Sequence, residues 1–325
     1  MSNVNAALVT GGAGAIGSRL VRRLLDAGTE RVVVIDDLSS GYEWLLPKDP
    51  RLTLVVRDVC DIASIDLRLH DPLIFHLAAF FANQNSVDHP FDDLHTNGRG
   101  TLAVLDWARR NGARRVVYAS AGCSIAGHGI DAPIREDMPV SLHLDTPYQI
   151  TKALGEFYCN YFGRDVSTAR CRFFNSFGPG EVPGRYRNVI PNFIWAAMHN
   201  QPLVITGNGQ ETRDFIFVDD LVEGLMLAAL TPGAGGEAIN LGTGIQTPIL
   251  ELAEAIVNTC QSLSPITFGA RRLWDKSARR QADISKARLY LDFSPAVPVL
   301  DGIRKTVEWF KENERRIEAS LGVTV

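Results

Sequence analysis

Short runs of aliphatic and β-branched residues alternate with longer amphipathic stretches through the first half of the chain. The runs that predict strands are NAALVTGG, RVVVIDD, RLTLVVRDV, LIFHLAA and RRVVYAS. Between them, IGSRLVRRLLDAG and DLHTNGRGTLAVLDWARRNG have the spacing of helices. Apolar strands that alternate with helices are typical of a parallel sheet covered on both faces. We therefore predict an α/β fold built on a doubly wound parallel sheet.

The pattern changes at residue 175. NSFGPGEVPGRYRN holds several Gly and Pro residues and predicts a loop that enters a second region. Beyond this loop, the sequence pattern predicts a helix at NVIPNFIWAAMHN, a hairpin at LVITGNGQETRDFIFV, a strand at EAINLGTG and a helix near TPILELAEAIVNT.

Composition narrows the class of protein. The net charge of the 325 residues is -4, without a basic stripe interleaved with aromatics, which argues against a nucleic-acid partner. No stretch reaches the ~18 apolar residues of a membrane span. The histidines show no metal-binding spacing, so no metal is predicted, and His89 and His95 are expected on a solvated face. An odd number of cysteines without a CxxC pair favours reduced thiols and a cytoplasmic protein; they are Cys60, Cys123, Cys159, Cys171 and Cys260.

A glycine-rich turn follows the first predicted strand and opens the first helix. Residues 10–17 read TGGAGAIG, with glycines at 11, 14 and 17. Glycine permits a tight turn and close approach of the backbone to a pyrophosphate, whose charge is favoured at a helix N-terminus. Asp36 ends the next strand, where a carboxylate can accept both ribose hydroxyls of NAD and repel the 2′-phosphate of NADP. This pairing predicts a site for NAD.

A tyrosine and a lysine lie four residues apart in LDTPYQITKALGEFY. Thr146 is the predicted N-cap, Pro147 the first helical position and Gln149 the partner in a T-x-x-Q capping box. Tyr148 and Lys152 then share one helix face. A lysine cation near a phenol favours the phenolate, so Tyr148 can take a proton from a sugar hydroxyl near neutral pH.

Taken together, these segments resemble the extended short-chain dehydrogenase/reductases of the nucleotide-sugar epimerase/dehydratase family. The resemblance rests on TGGAGAIG, VVVIDDLSSG, RDV, HLAA, the N-x-x-GT that begins at Asn97, YQITK, RFFNSFGPG, ETRDFIFVDD and ADISKA, in family order. It implies a Rossmann domain with a smaller C-terminal α/β domain, tightly held NAD and a nucleoside-diphosphate sugar as substrate. It also implies a homodimer formed by two helices per subunit, near residues 92–111 and 147–163. The expected domains are residues 1–174 with about 215–247 for NAD, and 175–214 with 248–325 for the nucleotide sugar.

The resemblance also implies a set of site residues. Asn175 and Arg213 resemble the residues that hold the substrate diphosphate, and Arg272 or Arg280 resembles the arginine that closes over it, since a guanidinium pairs two phosphate oxygens. The implied NAD contacts are Gly11, Gly14, Ala15, Ile16, Gly17, Asp36, Asp37, Ser39, Ser40, Gly41, Asp58, Val59, Leu77, Ala78, Ala79, Asn97, Ser120, Tyr148 and Lys152.

The stretch SAGCSIAG, which begins at Ser120, departs from the family pattern. Family members usually carry a Ser or Thr there that assists the tyrosine, but counting from either side places that position on Ala121 or Gly122. Ser124 is the predicted replacement, with Ser120 or a water as substitutes. Cys123 is either a small inert residue or a thiol that moves a proton at C3 or C5 of a 4-keto sugar.

Several activities are compatible with these residues. Dehydratases and decarboxylases resemble this chain but carry an acid and a glutamate at the places of Cys123 and Ser124, and Cys and Ser replace carboxyls poorly. An epimerase acting through a transient 4-keto sugar is therefore favoured, with 4,6-dehydratase, 3,5-epimerase or decarboxylase as alternatives. Residues 122–126 nearly match the G-x-S-x-G of hydrolases but lack its second glycine. A non-catalytic NAD-binding sensor is disfavoured because Tyr148 and Lys152 are both present.

Overall fold

The structure is a computed structural model, and it describes residues 4–122, 132–275 and 277–322. The strands in this part of the chain are β1 (Ala6–Thr10), β2 (Arg31–Asp36), β3 (Leu52–Val56), β4 (Leu73–His76), β5 (Arg115–Ala121), β6 (Thr168–Phe173), β7 (Asn175–Phe177), β8 (Leu203–Thr206), β9 (Thr212–Arg213), β10 (Phe215–Phe217), β11 (Ala238–Leu241), β12 (Thr247–Pro248) and β13 (Ile266–Gly269).

The α-helices in the same ranges are α1 (Ala15–Asp26), α2 (Asn83–Asp88), α3 (Pro90–Asp93), α4 (Thr101–Arg110), α5 (Pro147–Phe162), α6 (Val189–Met198), α7 (Val218–Leu230), α8 (Ile249–Cys260), α9 (Ser285–Leu291) and α10 (Val299–Ser320). A π-helical turn, Leu94–Gly100, joins α3 to α4, and 3₁₀ turns occur at Glu43–Leu45, Val59–Ser64 and Pro232–Ala234.

Among the described strands, seven form one sheet in the order β11-β6-β5-β4-β1-β2-β3, and every neighbouring pair is parallel. All five strands predicted in the first half of the chain belong to it. β1, β4 and β5 are buried along their whole length, as strands covered on both faces must be. The strand order reverses between β1 and β4, which is where open α/β sheets bind their ligands. The Rossmann-type α/β fold is confirmed.

Helices cover both faces of the sheet. On one face α1 and α7 pack together, and α1 buries Leu20 and Leu24 on a single stripe in the cluster that includes Leu225. On the other face α4 and α5 pack together, with Leu105 and Phe162 buried between them and the strands. The sheet therefore stands between two apolar layers, and its carboxyl-terminal edge remains available for polar residues.

A third apolar cluster gathers residues from the C-terminal half. It joins α6, α8 and α10 to the short strands and includes Ile194, Ile256 and Phe310. The predicted hairpin at LVITGNGQETRDFIFV is wrong, because β8 pairs with β13, β9 with β12 and β10 with β7. In each pair the partner comes from a distant part of the chain. The predicted division into two domains stays a prediction.

Candidate functional site

A cavity of about 550 Å³ lies at the carboxyl edge of the sheet, where the strand order reverses. The chain enters its wall directly after β1 at Gly11 and directly after β4 at Leu77, and the end of β2 contributes Asp36. Every residue predicted to contact NAD lines this cavity except Asn97. The fold thus brings together residues that are far apart in sequence, because parallel strands present their carboxyl ends on one edge.

The glycine turn is packed too closely to admit side chains. Gly11 has φ +71°, and a Cβ placed on it would lie 2.6 Å from the backbone nitrogen of Ala78. A Cβ on Gly17 would overlap the carbonyl oxygen of Gly11. The backbone therefore forms a bare cradle at the N-terminus of α1, where unpaired N–H groups and the helix dipole favour a pyrophosphate.

Asp36 connects the end of β2 to this cradle. Its carboxylate accepts hydrogen bonds from the backbone nitrogens of Ala13 and Leu38, both at 2.9 Å. Burial raises the pKa of Asp36 above its ordinary value. Since each carboxylate oxygen has two lone pairs, acceptor capacity remains for ribose hydroxyls.

Asp58 and His95 form a polar pair on the wall beyond Asp36. The Nε2 atom of His95 lies 2.8 Å from Oδ2 of Asp58, and the backbone nitrogen of Cys60 donates to Oδ1 at 2.7 Å. Burial alone would raise the pKa of Asp58, but the hydrogen bonds to its carboxylate outweigh burial, and the pKa is lowered. The ring of His95 lines the cavity beside Asp58 while 41% of its side chain stays exposed, so the solvated face expected for His95 stays a prediction.

Asn97 is buried behind the cavity wall instead of lining it. Its Oδ1 accepts from the backbone nitrogen of Phe80 at 2.8 Å, and its Nδ2 donates to Oδ1 of Asp93 at 2.7 Å. Asn97, which was predicted to contact NAD directly, is therefore not among the residues that line the cavity. Its amide instead anchors the segment after β4, whose side chains do line the cavity.

The predicted proton-transfer pair lies at the start of α5 and lines the same cavity. Thr146 is the N-cap, and its hydroxyl accepts from the backbone nitrogen of Gln149. The side chain of Gln149 accepts from the backbone nitrogen of Asp145, one residue before the position that a capping box requires. The backbone nitrogen of Tyr148 donates to the hydroxyl of Ser86 in α2 at 3.0 Å, which ties the first turn of α5 to α2.

Lys152 is buried one turn beyond Tyr148. Its ammonium donates to the carbonyl oxygen of Ala119 at 2.9 Å and lies 5.6 Å from the centre of the Tyr148 ring. Desolvation lowers the pKa of Lys152 to about 8. A cation is therefore held beside the phenol at neutral pH, which favours loss of the phenolic proton.

The predicted substitutes for the missing hydroxyl have different positions. Ser120 lines the cavity, but its hydroxyl donates to Oε1 of Glu156 at 2.6 Å. Glu156 is itself buried in an ion pair with Arg172, with Nη2 and Oε2 2.8 Å apart. Because its hydroxyl hydrogen is used in this bond, the Ser120 oxygen can only accept a hydrogen bond from a group in the cavity. Cys123 and Ser124 lie outside the described residues.

The residues predicted to bind the substrate divide into two groups. Asn175 and Arg280 line the cavity, and Oδ1 of Asn175 and Nε of Arg280 are buried with no hydrogen-bond partner in the described part of the chain. Arg213 does not line it, although both arginines pair with the carboxylate of Asp275, Arg213 at 2.8 Å and Arg280 at 3.3 Å. Arg272 is exposed and stacks on Trp274, so the structure selects Arg280 from the two predicted arginines.

Several lining residues were missed from the sequence. Glu181, Arg187 and Asn188 belong to the Gly/Pro-rich loop after β7, which has no periodic pattern to mark them. Glu181 accepts from Nδ2 of Asn188 at 2.8 Å, and burial raises its pKa to about 7. A second missed group directly follows the HLAA motif, which was the available signal; it comprises Phe80, Phe81, Ala82, Asn83 and Asn85.

Comparison with known proteins identifies the family. Residues 7–242 match the model of the NAD dependent epimerase/dehydratase family. The chain belongs to this family. It is 36% identical over 315 residues to UDP-glucose 4-epimerase of Mycolicibacterium smegmatis, which covers 95% of this chain and 99% of the relative.

Solved structures of the family superpose closely. Epimerase Mth375 from Methanothermobacter thermautotrophicus is 46% identical, with a TM-score of 0.93, covering 98% of this chain and 95% of that one. The Bordetella bronchiseptica enzyme WbmF, in complex with NAD⁺ and UDP, is 36% identical, with a TM-score of 0.84, covering 98% and 95%. The chain thus shares its fold with these neighbours over nearly its whole length.

The coenzyme of this family is NAD, and the residues present fit it. The side-chain-free turn at Gly11 and Gly17 matches a pyrophosphate, and Asp36 at the end of β2 matches the adenosine ribose. Tyr148 and Lys152 line the same cavity. The protein is therefore an NAD-dependent enzyme of the epimerase/dehydratase family.

Proposed function

We propose that the protein is a nucleoside-diphosphate-sugar 4-epimerase that acts through a transient 4-keto sugar. The observation that carries this proposal is that Tyr148 and Lys152 line one cavity with the glycine turn and with Asn175 and Arg280. The unpartnered amide oxygen and guanidinium nitrogen of the last two are suited to the polar diphosphate and sugar of such a substrate.

The chemistry assigned to the chain is proton transfer at the sugar C4 hydroxyl. NAD, when bound, would supply the hydride acceptor and donor for this reaction. Tyr148, as the phenolate favoured by the Lys152 cation, accepts the hydroxyl proton and gives it back after the keto sugar has turned. Both transfers leave the chain unchanged, as an isomerisation requires.

The alternatives need groups that this chain lacks at the corresponding positions. A 4,6-dehydratase removes a proton beside the ketone and protonates a leaving hydroxyl, which ordinarily takes carboxyls. Positions 123 and 124 carry a cysteine and a serine instead. Epimerisation at C4 demands less, so the residue set favours it over dehydration and decarboxylation.

The test is incubation with UDP-, GDP-, CDP- and dTDP-sugars in deuterated water, with products followed by NMR. Inversion at C4 without deuterium in the sugar is the expected result. Solvent deuterium at C3 or C5 would favour 3,5-epimerase or dehydratase chemistry, and release of CO₂ from a uronic acid would favour a decarboxylase.

A matched variant separates the proposed proton transfer from binding. Tyr148→Phe keeps the ring and its edge contact with Phe81, 6.1 Å away, but lacks the hydroxyl. It should retain NAD and bind UDP while turnover falls by about 10²-fold or more. Undiminished turnover in this variant would contradict the assigned role.

We also infer a homodimer, built on an apolar stripe along α3, α4 and α5. Phe91 is 85% exposed and Phe157 55% exposed, and exposed apolar side chains this large are unusual on one helical surface. Phe157→Glu should convert the dimer to a monomer in light scattering, whereas Leu289→Glu, at a position on α9 that is 81% exposed, should not. A monomeric parent protein would exclude the dimer.

A cytoplasmic location is inferred from the thiols. Cys60, Cys159, Cys171 and Cys260 are all free in the described part of the chain, which is usual in a reducing compartment. No α-helix in the described ranges combines the length and apolarity needed to cross a bilayer. Fractionation of cells producing the protein tests the location directly.

A further inference from the structure

The loop that follows Asp36 reaches beyond the NAD site. After Ser39, Ser40 and Gly41 it forms the 3₁₀ turn Glu43–Leu45, which carries Trp44. The backbone nitrogen of Tyr42 donates to the carbonyl oxygen of Ala13 in the glycine turn at 2.9 Å. The position of Trp44 is therefore linked, through a few residues, to both the ribose end and the pyrophosphate end of the coenzyme site.

Trp44 is held by one face of the C-terminal helix α10. Trp309, Arg316 and Ser320 are spaced by 7 and 4 residues, so they lie on one side of the helix. The rings of Trp44 and Trp309 are stacked, 5.9 Å apart with 12° between their planes. The guanidinium of Arg316 lies 5.7 Å from the Trp44 ring, and Nε1 of Trp44 donates to the hydroxyl of Ser320 at 3.2 Å.

The opposite face of α10 belongs to the C-terminal apolar cluster. Ile303, Val307 and Phe310 are buried there, which fixes the helix independently of the main sheet. The same loop has a second attachment to the C-terminal half, since Nη2 of Arg187 donates to the carbonyl oxygen of Ser40 at 2.6 Å. The coenzyme loop is thus held between the sheet and elements that pack in a different core.

We propose that Trp44, Trp309, Arg316 and Ser320 form a latch that sets the rate at which NAD leaves the protein. Asp37, Ser39, Ser40 and Gly41 line the coenzyme cavity, so release of a dinucleotide bound against them would take movement of this loop away from the glycine turn. That movement breaks the stack, the cation–π contact and the hydrogen bond made by Trp44. The latch therefore opposes release without touching the sugar or the reacting atoms.

The experiment measures NAD dissociation from the purified holoenzyme. Protein loaded with radiolabelled NAD is diluted into excess unlabelled NAD, and retained label is followed by rapid filtration. Trp44→Ala and Trp309→Ala should each speed dissociation by about 10-fold or more, and the double variant should add little, because both remove one stack. Trp44→Phe, which keeps an aromatic face, should lie between these variants and the parent.

A control variant removes an equal side chain from the same C-terminal core. The ring contacts of Trp195 are with His199 and Phe310 and not with Trp44, so Trp195→Ala should leave the dissociation rate within about twofold. Rates unchanged in folded Trp44→Ala and Trp309→Ala would overturn the proposal. Acceleration of the same size in Trp195→Ala would also overturn it, since general loosening would then explain the effect.

Milder variants keep the proposal testable if the tryptophan variants fail to fold. Arg316 is exposed, and Arg316→Ala removes one contact to Trp44 from the surface of α10. It should speed dissociation by about 2- to 5-fold, and an unchanged rate would count against the latch. The measurement needs no sugar substrate, so it succeeds or fails independently of the proposed epimerase activity.

Discussion

Replacing Glu181 with glutamine should abolish a loss of stability that the protein suffers as the pH rises from about 5 to about 8. Glu181 lines the coenzyme cavity and is buried beside the start of α6, where Nδ2 of Asn188 donates to it at 2.8 Å. Glutamine has nearly the same shape and can still accept this hydrogen bond through its carbonyl oxygen. The variant thus removes an ionisation and little else.

The magnitude follows from the pKa. Burial raises the pKa of Glu181 from 4.5 to about 7, and the attraction of Arg187 and the hydrogen bonds from Asn188 offset only part of this effect. Between these two values the folded protein retains a proton that the unfolded chain has lost. The free energy of unfolding therefore falls as pH rises, by a total of about 3 kcal/mol once the pH exceeds the folded-state pKa.

The assay is urea unfolding across this pH range at a fixed, saturating NAD concentration. Parent and Glu181→Gln proteins should have similar stability near the acid end, and the variant should be more stable by up to about 3 kcal/mol at the alkaline end. Glu251→Gln, at an exposed position on α8, removes a carboxyl from the surface and serves as the control. It should follow the parent protein.

Parallel pH profiles for the parent and Glu181→Gln would refute this reasoning, because they would show that the carboxyl ionises in the folded protein without penalty. Repeating the series at a second NAD concentration separates stability from coenzyme binding. The contribution of NAD binding to the free energy of unfolding changes with NAD concentration, whereas the contribution of Glu181 ionisation does not.

Three further outcomes are expected. Lys152→Met should lower turnover by about 10²-fold or more and raise the melting temperature, because it removes a buried ammonium whose pKa desolvation has lowered to about 8; a lower melting temperature would contradict this. Arg172→Met should lower the free energy of unfolding in urea by about 3–5 kcal/mol, because it leaves the Glu156 carboxylate buried and unpaired. The double variant Arg172→Met with Glu156→Gln should recover part of this loss of stability. No recovery in the double variant would count against the ion pair. Gly17→Ala should lose NAD in equilibrium dialysis while Gly28→Ala, where a Cβ meets open space, keeps it; normal retention by Gly17→Ala would contradict the packed cradle.

The Rossmann half of the protein was predictable because its signals are local. Each strand of the first half is an apolar run of its own, and the residues that serve the site directly follow such runs, as Gly11, Asp36 and Leu77 do. The rule that parallel strands end on one edge then places these residues together without knowledge of the packing. Tyr148 and Lys152 were found in the same way, from helix spacing alone.

The substrate side of the cavity was less predictable because its residues come from irregular segments. Glu181 and Arg187 lie in a loop whose Gly and Pro content predicts only the absence of regular structure. Arg272 and Arg280 could not be separated from the sequence, because their difference depends on the course of the loop around Asp275. The hairpin prediction failed for a related reason, since β8 and β10 have their pairing partners far away in the chain.

By itself, the amino-acid sequence determined the first five strands of the sheet, the coenzyme turn and the tyrosine–lysine pair, because each depends on periodicity or on residues within one or two helical turns. Only the tertiary structure decided that His95 faces Asp58, that the hydroxyl of Ser120 donates a hydrogen bond to Glu156, and that α10 packs on Trp44. Those contacts join side chains from separate elements. Their energies arise from burial and from atoms that meet only after the sheet and both of its faces have packed.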